Sequence, residues 1–454
     1  MSRLVSAAVL AAAAALSGCS TVQRVGDAVW PFSGGGDSET SETAPQDGRV
    51  SILTFEQQLA PDPELASRTI TTPAPAAIAN WSQPGGEADN APPNATGSAT
   101  LERAFRANLG AGSDSHVRLA APPVIADGKL YFLDAETRVH AVDASDGRSL
   151  WSERLRPQDS EDRHASGGGI AVAGGRVFVT TGFGFAAALD AADGREVWRF
   201  NGRTPFVTAP TAAGGRVYAT TSDSELVALD ATTGELQWNF QSIAETARIL
   251  SASSVAASDD TIIAPFASGE IVALLSANGR RLWTDSLSRS GRLTSLSAIN
   301  DIAGRPVVDG GVAYAASHSG VLAAIDVRSG QRVWARAFAS TQTPFAAGDV
   351  LYAVSVDGEL AAFDRATGTV YWVRQLRRYE DEDDREGRVS WTGPIMVNGK
   401  LILASSLGEV VAVSAETGVI ETTVDVDQSV FIPPVTANGL IYFVTDDARL
   451  IALR

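Results

Sequence analysis

Cysteine is nearly missing from this 454-residue chain, which contains one, Cys19. A lone thiol excludes an intrachain disulfide, so the fold must hold without cross-links. Basic residues are in short supply: 36 Lys and Arg face 53 Asp and Glu, a formal net charge of −17. Nucleic-acid phosphates are met by clustered Lys and Arg, so this balance argues against a nucleic-acid partner. The four histidines, His116, His140, His164 and His318, form no i, i+4 pair and have no cysteine partner. They supply no starting ligand set for a metal centre. No Gly-x-Ser-x-Gly elbow is present, and SGGG (166–169) is not followed by Gly-Lys-Ser/Thr. Nucleophile-elbow and phosphate-loop chemistry therefore have no footing. The acidic run YEDEDDRE (379–386) has Arg385 at the third ligand place counted from Asp381. It fails as a calcium loop and reads as a solvated segment between repeats, with Arg377, Arg378 and Arg388 placed to neutralise it.

A long apolar run is also lacking. Arg3 precedes a short one, Leu4 to Leu16, which gives way to Ser17, Gly18 and Cys19. That run is too short to cross a bilayer core of about 30 Å comfortably and has the form of a secretory signal. LSGC (16–19) resembles a bacterial lipobox, which implies cleavage before Cys19 and acylation of that residue. Ser20 follows where inner-membrane retention usually shows Asp, so the analogy implies an outer-membrane anchor facing the periplasm.

What the chain has in abundance is repetition. A Gly is followed four residues later by a Trp at Gly147/Trp151, Gly194/Trp198, Gly234/Trp238, Gly279/Trp283, Gly330/Trp334 and Gly368/Trp372. A seventh copy keeps Gly418 and has Thr422 in the Trp place. Four residues before the Gly stand Asp143, Asp190, Asp230, Asp326 and Asp364, with Leu275 and Ser414 in the other two copies. Successive copies lie 38 to 51 residues apart, the span of four short strands and their turns in a propeller blade, about 40–45 residues. VALDATTGELQW (227–238) alternates with period 2 on both sides of its turn, which suits strands and not a helix. The Asp caps the turn with its own carboxylate and the Gly takes positive φ, so the five aspartates read as turn residues and not as catalytic carboxylates. Each Trp opens a last strand and is expected to bury its ring against the neighbouring blade.

The two ends of the repeat region complete each other. PPVTANGLIYFVTDDARLIALR (433–454) supplies three strands and stops before any Gly-x-x-x-Trp. LERAFRANL (101–109) supplies a fourth, its Phe105/Leu109 step matching Trp151/Leu155. Joining them removes the exposed sheet edges. The expected architecture is all-β, an eight-bladed β-propeller over 101–454 with four-stranded antiparallel blades. Residues 1–18 are expected to be the signal peptide. Residues 19–100, rich in Gly, Pro, Ser and acids and without a usable period, are expected to be a lipidated flexible tether whose loss leaves propeller stability nearly unchanged. Within it, 50–65 could form a short helix or docking segment, and Trp81 could dock.

The Asp-x-x-x-Gly-x-x-x-Trp repeat resembles the tryptophan-docking repeat of quinoprotein-type eight-bladed propellers. Two families of that type compete. Quinoprotein alcohol dehydrogenases carry pyrroloquinoline quinone and calcium, and resemblance to them implies a periplasmic dehydrogenase. Those enzymes have a pair of adjacent cysteines near the quinone, which this chain lacks. The second family is BamB, the propeller lipoprotein of the outer-membrane β-barrel assembly machinery, which this chain resembles in lipobox, tether, blade number and length. That resemblance implies a non-catalytic scaffold without cofactor, docking on periplasmic domains of BamA and assisting insertion of outer-membrane proteins. IAETARILSAS (243–253) and GRLTSLSAINDIAGRPVV (291–308) are similar to the two loops with which the family touches BamA. Arg248 matches the Arg of the first loop, and Asp301 the first of two acidic positions in the second. Ala303 stands at the other, and Glu245 and Ala247 stand where the family has leucines.

Overall fold

The tight turn that repeats along the chain is also what sets the architecture. In a computed structural model, which describes residues 59–65, 68–157, 165–245, 247–249, 251, 253–288 and 299–454, Asp230 Oδ1 accepts from the amides of Thr232 (2.8 Å) and Thr233 (2.9 Å). Asp143, Asp190, Asp326 and Asp364 accept in the same way from the amides of Ser145, Ala192, Ser329 and Ala366. The Gly that follows has φ of 74° at Gly147 and 75° at Gly234, which costs a side-chain-free residue nothing. The chain divides between Phe55 and Glu56, and the described residues all belong to the second unit. The signal peptide, Cys19, residues 50–58, His164 and residues 291–298 of the second loop lie outside the described residues.

Eight four-stranded antiparallel sheets form the eight blades of the expected propeller. Blades 1 to 7 cover residues 124–154, 168–201, 211–241, 256–286, 307–337, 345–375 and 391–425. Blade 8 takes three strands from residues 435–453 and its fourth from Arg103–Asn108, paired antiparallel with Arg449–Leu453. The acidic run adds a hairpin between blades 6 and 7, Tyr379–Asp381 against Glu386–Arg388. Its arginines do only part of what was expected. Arg377 and Arg378 help hold the Glu382 carboxyl below its usual range, after the main-chain amides of Arg378 and Tyr379. Arg388 turns instead to Asp357.

One cross-strand row recurs in the blades. Tyr218, Ala228 and Trp238 stand opposite one another in blade 3, as do Tyr314, Ala324 and Trp334 in blade 5. The small Ala lets the rings approach, with centroids 5.7 Å apart in blade 3 and 6.2 Å in blade 5. The Trp then reaches into the next blade. Trp198 Nε1 donates to Ala231 O (3.1 Å), and a Cβ added to Gly234 would come within 2.6 Å of its ring. Trp151, Trp238, Trp283, Trp334 and Trp372 dock in the same way on the turns that hold Gly194, Gly279, Gly330, Gly368 and Gly418. Trp198, Trp238 and Trp334 are buried and the other three half-buried. At the closing blade Phe105 takes the Trp place, packs on Tyr442 and meets Gly147 of blade 1.

The absent seventh Trp follows from closure. Blade 8 passes from its third to its fourth strand across the joint between Arg454 and Glu102, with no Asp-x-x-x-Gly turn. Thr422 therefore has no glycine of that kind to dock on, and its second-strand partner in the row is Ile402 in place of an aromatic residue.

The segment before the propeller corrects the expected tether. Residues 68–100 pack on the propeller, because their backbone satisfies the free inner edges of the innermost strands. Trp81 exchanges both main-chain bonds with Ile125 of blade 1 at 2.7 Å and is buried. Ser82 O accepts from Val172 of blade 2, and the Gln83 side chain both donates to and accepts from Ala212 of blade 3. Ala88 O and Asp89 O accept from Ala257 of blade 4 and Val308 of blade 5. Ala95 brackets Met396 and Asn398 of blade 7, and Ile78 O accepts from Asn438 of blade 8. Pro73 lies against Gly348 of blade 6. This strap thus touches all eight blades around the axis. Its Gln83–Gly86 turn is made possible by Gly86 at φ 94°. Before it, Asp62 N bonds to Val370 O (2.9 Å), so 59–65 docks as a non-helical segment.

Candidate functional site at one end of the axis

Antiparallel strands place the links between blades and the second-to-third-strand turns at one end of a propeller, and the remaining turns at the other. The strap enters beside the remaining turns: Asn80 Oδ1 accepts from Asp127 in the first turn of blade 1. The two loops singled out in the sequence lie at the opposite end. Residues 242–255 link blades 3 and 4, and 287–306 link blades 4 and 5.

The described parts of these loops are joined by three bonds. Ile249 N donates to Asp301 Oδ2 (2.7 Å), Ser251 Oγ to Ala303 O (3.0 Å) and Ser253 Oγ to Gly304 O (3.1 Å). Asp301 is 7% exposed. Burial pushes its carboxyl above the usual range, opposed by the Ile249 amide and by the charges of Arg248 and His318. Asp301 is therefore not exposed on the loop where the resemblance placed it: it is an internal brace for the first loop. Its side-chain oxygen satisfies a main-chain amide that would otherwise be stranded between the two loops.

Arg248 is half-buried and its guanidinium donates to two carbonyls, Ser222 O in the turn of blade 3 and Glu245 O (3.1 Å) in its own loop. It also helps hold the Asp223 carboxyl below its usual range, behind the hydroxyls of Thr221 and Thr204. Two apolar side chains in links at this end are exposed, Ile243 at 63% in the loop of Arg248 and Phe431 at 47% between blades 7 and 8. A single exposed apolar residue has no periodic signature, so sequence reading missed Phe431 and took Ile243 only as part of its loop.

Between the loops and the axis lies a cavity of about 120 Å³, lined by links into blades 1, 4, 5, 6 and 8. Its polar lining is Ser251, Arg305, Thr341, Gln342 and Thr343. Arg305 is buried, and desolvation brings its pKa down to about 10. No Asp, Asn or Glu lines this cavity among the described residues. Among those residues no group of three or more His, Cys, Asp and Glu could hold a metal ion. His140 is committed to Asp134 (2.8 Å), His318 Nδ1 lies 3.4 Å from Ile299 O, and His116 lies at the surface.

The family model for the outer membrane protein assembly factor BamB matches residues 90–162, 135–374 and 379–454. This chain belongs to the BamB family. Relatives agree: BamB of Salmonella typhimurium is 30% identical over 335 residues, 73% of this chain and 83% of that one. BamB of Escherichia coli K12 gives the same identity and coverage. BamB of Xanthomonas campestris is 35% identical over 242 residues, 53% of this chain and 59% of the relative. Among solved structures, BamB from Moraxella catarrhalis superposes with a TM-score of 0.65 at 21% identity, covering 78% of this chain and 99% of that one. A europium-containing methanol dehydrogenase reaches 0.66 at 14% identity, covering 81% and 89%. At such identities the two likenesses speak for the propeller alone.

Proposed function

We propose that this chain is a non-catalytic assembly factor for outer-membrane β-barrel proteins. It docks on periplasmic domains of BamA through the rim formed by 243–253 and 299–305, and is held at the periplasmic face of the outer membrane by lipid on Cys19. The observation that carries the reading is the Ile249–Asp301 bond. It joins the described parts of two loops from neighbouring blades beside Arg248, where the family's partner loops are expected. A braced rim loses little entropy on docking, so a few polar contacts and the apolar Ile243 suffice for a weak but specific contact. Confinement by a lipid anchor raises the effective concentration of such a contact.

The dehydrogenase alternative finds poor support in the residues present. A drug-sized ligand fills a pocket of about 300–1,000 Å³, well above the 120 Å³ at the axis. Calcium beside a quinone needs converging carboxylate and carbonyl oxygens, and a buried guanidinium stands there instead. The far end of the axis is filled by the strap.

Capture of BamA from detergent-solubilised membranes by tagged wild type and by Arg248→Glu tests the reading. Loss of capture with a melting temperature within a few degrees of wild type is the expected result. Undiminished capture by a folded variant overturns this interface, and recovery of quinone absorbance with dye reduction overturns the non-catalytic role.

A further inference from the structure

The docking rim is braced from below by the strap. Asn90, 2% exposed, sends both hydrogens of its side-chain amide into the last residues of the two rim loops: Nδ2 lies 3.3 Å from Val255 O and 2.8 Å from Pro306 O. Val255 is two residues beyond Ser253, and Pro306 is two beyond Gly304, the pair that closes the stitching between the loops. Both loops run on at once into innermost strands of only three residues, Ala256–Ser258 and Val307–Asp309. Strands so short hold few ladder bonds, so they fix the loops weakly by themselves. The strap adds the missing bonds around the same point, with Ala88 O accepting from Ala257 N (2.7 Å) and Asp89 O from Val308 N (2.9 Å).

Asn90 is built into this place. Its backbone is in the left-handed region at φ 60°, which Asn tolerates better than most residues. Gly85 opposite it has no room for a side chain: a Cβ there would lie 2.2 Å from Asn90 Oδ1. The amide also ties the starts of two neighbouring blades to a segment outside both.

We infer that Asn90 is a positioning residue for the docking rim, a clamp that sets the spacing of blades 4 and 5 and through it the alignment of the two partner loops. The clamp itself is independent of what binds. Its consequence for partner capture rests on the function proposed above.

Asn90→Asp keeps the size and the left-handed backbone, removes both donors and turns a carboxylate toward two carbonyls. Asn90→Gly removes the donors without adding charge, and carries the test if the aspartate variant fails to fold. Asn94→Asp is the control: Asn94 is equally buried in the strap, but its amide donates to Pro73 O (2.8 Å) and its oxygen serves Gly399 of blade 7. Amide hydrogen exchange on the full chain is read at 247–256, 299–308 and 395–404, beside capture of BamA.

The Asn90 variants are expected to speed exchange in the first two windows at least about tenfold, leave the third unchanged and weaken capture at least about fivefold. Asn94→Asp is expected to move only the third window and leave capture within about twofold. Unchanged exchange in both loop windows, or equal loosening by the Asn94 control, overturns the clamp whatever capture does. Loosened loops with capture undiminished in both Asn90→Gly and Arg248→Glu uphold the clamp and overturn the docking assignment instead.

Discussion

Glu102 and Arg454 exchange both main-chain hydrogen bonds, each 2.9 Å long, so the two ends of the repeat region are neighbours in one sheet. Thr100 Oγ1 adds a third bond to Arg454 O at 2.8 Å. Deleting residues 101–109 leaves the strand Arg449–Leu453 as an open edge, removes Phe105 from its place on Gly147 and breaks the ring. A sharp fall in the thermal midpoint and concentration-dependent aggregation are expected. A midpoint equal to that of wild type contradicts closure at this joint.

Removal of residues 68–97 is expected to lower the midpoint by about 5–10 °C or more, because it strips hydrogen-bond partners from the innermost strands of six blades and from the first turn of blade 8. Calorimetry of the truncated protein decides between this outcome and the negligible change that a solvated tether would give.

Trp198→Ala empties a docking site between two blades and is expected to cost about 3–5 kcal/mol. Gly234→Ala attacks the same contact from the other side, since its φ is 75° and the added methyl would meet the ring. Thr422→Trp is expected to add no stability, because blade 8 has no turn to receive an indole. Denaturant midpoints of the three variants read out all three outcomes, and a stabilised Thr422→Trp would contradict the account of the missing repeat.

The Asp301 carboxyl titrates higher in the fold than in the unfolded chain, so the folded protein holds that proton more tightly. Stability contributed by this group falls as pH rises from the usual aspartate range through the raised value, and the deficit persists at neutral pH. Asp301→Asn keeps an acceptor for Ile249 and removes the charge. It is expected to be at least as stable as wild type at pH 7 and to lose that advantage below the usual aspartate range. Asp134, held low by His140 and main-chain amides against its burial, has the opposite sign and its stabilisation fades on acidification. Paired pH–melting curves of wild type and Asp301→Asn check the first sign, and an advantage that grows on acidification contradicts it.

Cys19→Ala is expected to move the protein from the membrane to the soluble periplasmic fraction, since two acyl signals make a stable anchor and none remains. Fatty-acid labelling of both forms reads the outcome directly. Retention of the unlabelled variant on membranes places the anchor elsewhere.

The repeat made most of the propeller legible. Gly234 and Trp238 recur because each blade needs the same turn and the same docking ring, and Phe105 betrayed the closing strand by its step to Leu109. Even the departures, Thr422 above all, carry the position of the joint. The strap was illegible for a physical reason. It forms no ladder of its own with period 2, and it bonds through isolated amides such as Gln83, Asn90 and Asn94 whose partners lie far along the chain. Trp81 and the Gly85–Gly86 turn were its only marks. At the rim, Arg248 could be placed on a loop by resemblance, whereas the role of Asp301 depends on the Ile249 main-chain amide, which no sequence displays.

The strap also imposes an order in time. Its residues leave the ribosome before any blade, yet their partners extend from Ile125 to Asn438. The site that receives the strap is complete only when the last blade has formed. Contacts so distant in sequence are made slowly, after the local hairpins. A segment made before the blades is thus the last to settle, and its docking is expected to be the late, slow event that locks a ring already closed.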